Sequence, residues 1–172
     1  LGGALRMNAG AFGSETWQFV DSVSFLHRNG DIENMAAADF NVGYRHVDIL
    51  YAGWFVAAKL NFKHEALNDS VEAISELLKK RNSAQPIGSF SCGSVFKNPP
   101  GNHAAALIES CGLKGKSTGG AMVSPKHANF ILNFNDASSQ DVNSLIEYVR
   151  DSVADKFSIL LEPEVKIFHN EV

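Results

Sequence analysis

Ser94 offers a hydroxyl in the run Cys92-Gly93-Ser94-Val95-Phe96, but Phe96 stands where the second glycine of a hydrolase nucleophile turn would be needed. A loop serine without that role is the simpler reading. Around it the charge is uneven. From Ser94 to Lys126 the cations are Lys97, Lys114, Lys116 and Lys126, and the only carboxylate is Glu109. A basic, glycine-rich stretch could hold an anionic small ligand such as a diphosphate, with amides and ammoniums as donors. A solvated surface with chance charges accounts for the same residues equally well. Arg45 follows Gly43-Tyr44 in a predicted loop, and Glu162 and Glu164 flank Pro163, where they could be reactive carboxylates or plain strand ends. His127 has no second His four residues on, so no metal site is expected. Neither the Walker spacing nor the GxGxxG fingerprint occurs.

The elements that must position these side chains belong to an ordinary globular chain. Its 172 residues are 45% hydrophobic and 20% charged, enough for one large or two small domains with real cores. The formal charge of −4, with no Lys/Arg stripe, argues against a nucleic-acid partner. No run approaches a membrane span and no signal-peptide pattern opens the chain. Cys92 and Cys111 lie nineteen positions apart with no CxxC, which reads as two reduced thiols of a cytosolic protein. The opening Leu1-Gly2-Gly3 is no translational start, so a longer protein is expected upstream.

Periodicity and punctuation supply the elements. Phe19 to Leu26 reads as a strand, Arg28-Asn29-Gly30-Asp31 as a hairpin turn, and Trp54 to Phe62 as a strand with Val56, Ala58, Leu60 and Phe62 on one face. Leu67, Val71, Ile74 and Leu78 mark a helix that starts near Asn68-Asp69-Ser70 and closes on the cationic turn Lys79-Lys80-Arg81. Near Pro86 the composition shifts. Seven of the fourteen glycines lie between Gly88 and Gly120, and loops are expected to dominate apart from a helix over Ala104 to Cys111 ended by Gly112. Phe130 to Phe134 reads as a buried strand. Ser138 to Asp141 forms a capping box that opens a helix with Val142, Leu145, Ile146, Val149, Val153 and Phe157 on one stripe. Two short strands, Ile159 to Leu161 and Val165 to Phe168, are expected at the end. Without a βαβ rhythm, the class is α+β.

Several strings in order resemble the UDP-N-acetylenolpyruvoylglucosamine reductases. Leu1 to Gly13 is similar to the stretch of that family that lies along the flavin. Gly43-Tyr44-Arg45 resembles its Gly-Tyr-Arg motif, and Gly93-Ser94-Val95-Phe96-Lys97-Asn98-Pro99 its Gly-Ser-x-Phe-Lys-Asn-Pro signature. Leu113-Lys114-Gly115, Gly119-Gly120-Ala121 and Ser124-Pro125-Lys126-His127-Ala128 follow in register, and Leu161 to Ile167 resembles the terminal Leu-Glu-Pro-Glu-Val-Arg-Ile. The similarity runs over essentially the whole chain.

That resemblance implies a flavoprotein that takes hydride from NADPH onto FAD and reduces the enolpyruvyl group of a UDP-sugar in the cytoplasm, for peptidoglycan synthesis. It implies Arg45, Ser94 and Glu164 as catalytic residues. Gly2, Gly3, Asn8 and Gly10 would lie along the FAD, and Asn98 and His127 would contact substrate. It further implies that residues 1–87 are the C-terminal part of a FAD-binding domain. Residues 88–172 would be the UDP-sugar domain, with a strand near 162–168 returning to the active site. The family's N-terminal flavin subdomain and pyrophosphate-binding loop fall outside this sequence, and no nucleic-acid or membrane partner is implied. Lys166 stands where the family usually has Arg, and an ammonium cannot reproduce a guanidinium fork.

Overall fold

A computed structural model describes residues 1–62 and 70–168. The chain divides into two compact units, Leu1–Leu67 and Asn68–Val172. The division therefore lies earlier than the composition shift near Pro86, because the helix before that shift groups with the second unit.

In the first unit a short helix α1 (Gly2–Arg6) leads into a tight hairpin of β1 (Gly10–Ala11) and β2 (Ser14–Glu15). Strands β3 (Val20–His27) and β4 (Ile32–Ala36) then form the hairpin expected around Asn29-Gly30. After the small pair β5 (Val42–Gly43) and β6 (His46–Val47), β7 (Gly53–Leu60) returns along the other edge of β3, giving the order β4-β3-β7. The core is aromatic: Trp17 meets Phe40 at 4.9 Å, and Phe25 meets Phe55 edge-on at 5.4 Å. On β7 the apolar face read from alternation is not the covered one as a whole. Phe55 is buried, whereas Val56, Leu60 and Phe62 are exposed. Alternation fixes which residues share a face but not which face is covered. An irregular register opposite Ser24 and Phe25 then shifts the phase, so that Phe55 and Ala58 both turn inward.

The second unit opens with α2 (Ser70–Ala84), which continues one turn past the Lys79-Lys80-Arg81 expected to end it. The predicted start at Leu67 to Asp69 lies outside the described residues. Its stripe of Val71, Ile74 and Leu78 forms as spaced but is exposed, since periodicity does not say what covers a helix face. The region read as mostly loop contains three short strands: β8 (Ser91–Ser94), then, beyond α3 (Ala104–Ser110), β9 (Ser117–Thr118) and β10 (Ala121–Val123). With β11 (Phe130–Asn133) they make an antiparallel sheet ordered β8-β11-β10-β9. Strands of two to four residues between glycines carry too little alternation to be read. As predicted, Gly112 takes a left-handed φ of 73° just beyond α3.

The long helix α4 (Ser139–Phe157) begins at the predicted box: Asp141 N–H donates to Ser138 Oγ, and Ser138 N–H donates to Asp141 Oδ2. Leu145, Ile146, Val149 and Val153 are buried against Val95, Phe96, Ile108 and Val123. Asp141 also accepts from Gly120 N–H at 3.4 Å, and these bonds, led by the one from Ser138 N–H, hold its carboxyl below the usual range. The Gly119-Gly120 pair is thereby explained as packing. A Cβ on Gly119 would sit 2.3 Å from the Asp141 carboxylate, and one on Gly120 would sit 2.2 Å from Asn135 O and 2.6 Å from Ala137 N. Backbone cannot swing aside as a side chain can. Gly120→Ala is therefore expected to destabilise by roughly 3 kcal/mol, the upper end of overpacking costs, measured as a lowered urea midpoint at unchanged slope.

The tail is not two strands. After α4 the segment 159–168 is irregular, with one isolated bridge between Phe96 and Pro163. Its apolar residues are consistent with strands, but the proline has no N–H to donate to a ladder, and the pairing covers only a few residues.

Candidate functional site

Pairing between the Gly93–Pro99 segment and the tail organises the second unit's candidate residues. Ser94 ends β8 opposite Phe130, directly after Gly93. Val95 O accepts from Glu164 N–H at 2.8 Å, and Lys97 N–H donates to Glu162 O at 2.9 Å. Ser94 and Glu164, seventy positions apart, therefore lie on neighbouring backbones. Asn129 locks this arrangement. Buried, it accepts from Phe96 N–H through Oδ1 (3.0 Å) and donates to Phe96 O through Nδ2 (2.8 Å), while its own carbonyl takes Val95 N–H (2.9 Å). An asparagine carboxamide offers a donor and an acceptor together, so it can copy a strand's backbone pairing.

Asn98 is exposed, and its Oδ1 accepts Ala104 N–H at 3.0 Å, holding the start of α3. His127 sits on the turn made by buried Ser124, whose Oγ accepts from Lys126 N–H (3.1 Å) and His127 N–H (3.2 Å). His127 Nδ1 accepts from Asn129 N–H at 3.3 Å and the ring stacks edge-on against Phe130, so burial lowers its pKa below the ordinary 6.5. The imidazole is thus neutral at pH 7 with its proton on Nε2. An NMR titration of His127 should give a midpoint below 6.5. Because the folded value is depressed, the stability this group contributes is complete above pH 6.5 and is lost as pH falls toward the folded midpoint.

The four cations that suggested an anion site each have a protein partner. Lys97 pairs with Glu162 (2.5 Å) and Lys114 with Glu109 (2.6 Å). Lys126 donates to Asn82 O (2.5 Å), and Lys116 lies 4.9 Å over the Tyr148 ring.

In the first unit, Asn8, Gly10 and Arg45 meet in one network. Asn8, buried and left-handed (φ 43°), donates through Nδ2 to Glu15 Oε2 (2.8 Å) and Gly43 O (3.0 Å), and accepts from Trp17 N–H (3.1 Å). Its side chain therefore braces the loop and is not presented outward. Arg45, also left-handed (φ 53°), donates to Asn8 O (3.2 Å) and Gly10 O (3.1 Å), and its Nη1 lies 3.7 Å from Glu15 Oε1. A Cβ on Gly10 would sit 2.6 Å from Ser14 O, so only glycine admits this closure. Gly2 lies within α1 close under Phe55 O, whereas Gly3 faces open space. Beside the network runs an open groove of about 390 Å³, lined by Ala9, Gly10, Glu15, Phe19, Leu60 and Phe62 among others. Glu15 and Asn129 are not marked by the sequence, and Ser124 entered only as part of the Ser124–Ala128 string, without a role. Their partners are brought close only by folding, and only Glu15's place beside the glycine-rich stretch could have hinted at a role.

Residues 85–168 match the family described as UDP-N-acetylenolpyruvoylglucosamine reductase, C-terminal domain. Reductases of that name from Alkalilimnicola ehrlichii and Coxiella burnetii are each 52% identical over 167 residues, covering 97% of this chain. The chain belongs to this family. It spans only about half the length of these relatives, 56% and 53%. The crystal structure of the Thermus caldophilus UDP-N-acetylenolpyruvylglucosamine reductase superposes with a TM-score of 0.84 at 32% identity, over 98% of this chain and 60% of that one. Among the described residues no group of His, Cys, Asp and Glu could hold a metal, and no helix is long and apolar enough to cross a membrane.

Proposed function

We propose that this chain forms the substrate-handling part of a cytoplasmic, flavin-dependent reductase that converts UDP-N-acetylglucosamine enolpyruvate to UDP-N-acetylmuramate with NADPH. The observation that carries the reading is the pairing of Glu164 N–H with Val95 O, which makes a carboxylate residue the neighbour of the Ser94 segment. The groove beside Gly10 has walls suited to a flat apolar ring: Ala9, Phe19, Leu60 and Phe62. Among the described residues that line it there is no cation for a diphosphate, so these residues fit the flavin ring of FAD rather than its pyrophosphate. When bound, FAD supplies the hydride chemistry, from NADPH to the vinyl carbon of the substrate.

The protein handles charge and protons. As a C–H bond forms at the methylene carbon, the π electrons move to the adjacent carbon and its carboxylate. Arg45 offsets that charge, and Glu164 helps to hold the enol-like form. Ser94 gives its hydroxyl proton to the carbanion-like carbon, completing the saturated ether. Asn98 and neutral His127, whose Nε2–H can donate, contact the UDP-sugar. Arg45→Ala in the full-length enzyme should slow reduction of the enolpyruvyl group without slowing NADPH oxidation in a single turnover. Equal slowing of both half-reactions would count against this role.

A further inference from the structure

Glu15 is an odd residue to find in this groove. Among the described residues that line the groove it is the carboxylate, and next to a ring that becomes electron-rich on reduction a negative charge is unfavourable. Its surroundings suggest a different purpose. Glu15 stands opposite Gly10 in the β1–β2 hairpin and directs its two carboxylate oxygens at two residues of the Arg45 network. Oε2 takes the Asn8 amide at 2.8 Å, and Oε1 lies 3.7 Å from Arg45 Nη1. Asn8 in turn offers its carbonyl to Arg45, so the carboxylate acts on the guanidinium directly and through Asn8. Both side chains are largely shielded, with 17% of Arg45 and 29% of Glu15 exposed, so solvent screens the pair less than a surface pair.

The guanidinium is also confined sterically. Tyr44 lies under it at 5.1 Å, and a Cβ on Gly10 would come within 3.1 Å of Nη1 and 3.0 Å of the Glu15 side chain. Arg45 holds a left-handed backbone that such a residue adopts at a cost, so the network must compensate it. We propose that Glu15 is the positioning residue for Arg45: its carboxylate fixes the guanidinium where it can stabilise charge on the reacting substrate. This rests on the role given to Arg45 above.

The test is a double-mutant cycle in the full-length, flavin-loaded enzyme. Glu15→Gln retains an oxygen for the Asn8 amide and removes the charge facing Arg45. It should slow flavin reoxidation by the enolpyruvyl substrate about 10- to 100-fold, the range of a close coupled pair, with flavin reduction by NADPH changed less than about twofold. In an Arg45→Ala background the same substitution should have almost no further effect. A merely structural Glu15 would slow both half-reactions or act equally in both backgrounds, and either result overturns the proposal. If Arg45→Ala alone leaves reoxidation unchanged, the functional reading fails instead, which separates the two. Should Glu15→Gln fail to load flavin, Glu15→Asp keeps the charge one methylene further back. It should give a smaller loss with the same dependence on Arg45, and wild-type reoxidation in it would overturn the proposal.

Discussion

Ser94→Ala in the full-length enzyme is expected to slow flavin reoxidation by the enolpyruvyl substrate ~10²–10⁴-fold, the usual contribution of a positioned general acid. That corresponds to about 3–5 kcal/mol of barrier. Flavin reduction by NADPH should proceed near its normal rate, because only the second half-reaction needs a proton at carbon. Ser94 is held by backbone pairing with Phe130, and its successors Val95 and Phe96 are clamped by Asn129. Ser94→Cys keeps a transferable proton on the same backbone and should recover part of the loss. A serine that only shaped its loop would, when replaced, weaken substrate binding with little change in the rate at saturation. Stopped-flow flavin absorbance separates these outcomes, and wild-type reoxidation under saturating substrate would remove Ser94 from its role.

Residues 1–172 alone should purify colourless. The chain spans about half the length of its relatives, and three cations of the first unit are already engaged: Arg6 with Val47 O, Arg45 with Asn8 O and Gly10 O, and Lys59 with Asp21. A charge-assisted hydrogen bond contributes roughly 1.5–3 kcal/mol, so losing three weakens flavin binding by about three to six orders of magnitude. Stoichiometric FAD on this chain, with no other polypeptide present, would contradict the division of labour in the groove.

What could be read from sequence was what neighbouring residues decide. The Ser138–Asp141 box and the stripe from Val142 to Phe157 fix α4 because every partner lies within one or two helical turns. The Asn29-Gly30 turn fixed its hairpin for the same reason. The covered face of β7 was not readable, since a register irregularity opposite β3 decides it. Nor was the tail, whose apolar residues match a strand but whose pairing to Val95–Lys97 is limited to a few bonds. Ser94, Arg45 and Glu164 were named by resemblance to a family and not by their own spacing. The residues that hold them, Asn129 and Glu15, act across 33 and 30 positions and leave no local pattern.

The full-length, flavin-loaded protein that contains this chain should be mixed with NADPH and UDP-N-acetylglucosamine enolpyruvate, and the nucleotide sugar followed by mass spectrometry alongside NADPH absorbance. The account predicts one NADPH consumed per substrate and a product heavier by two hydrogen atoms, UDP-N-acetylmuramate. NADPH oxidation that does not depend on the UDP-sugar, with the enolpyruvyl group left intact, would contradict it.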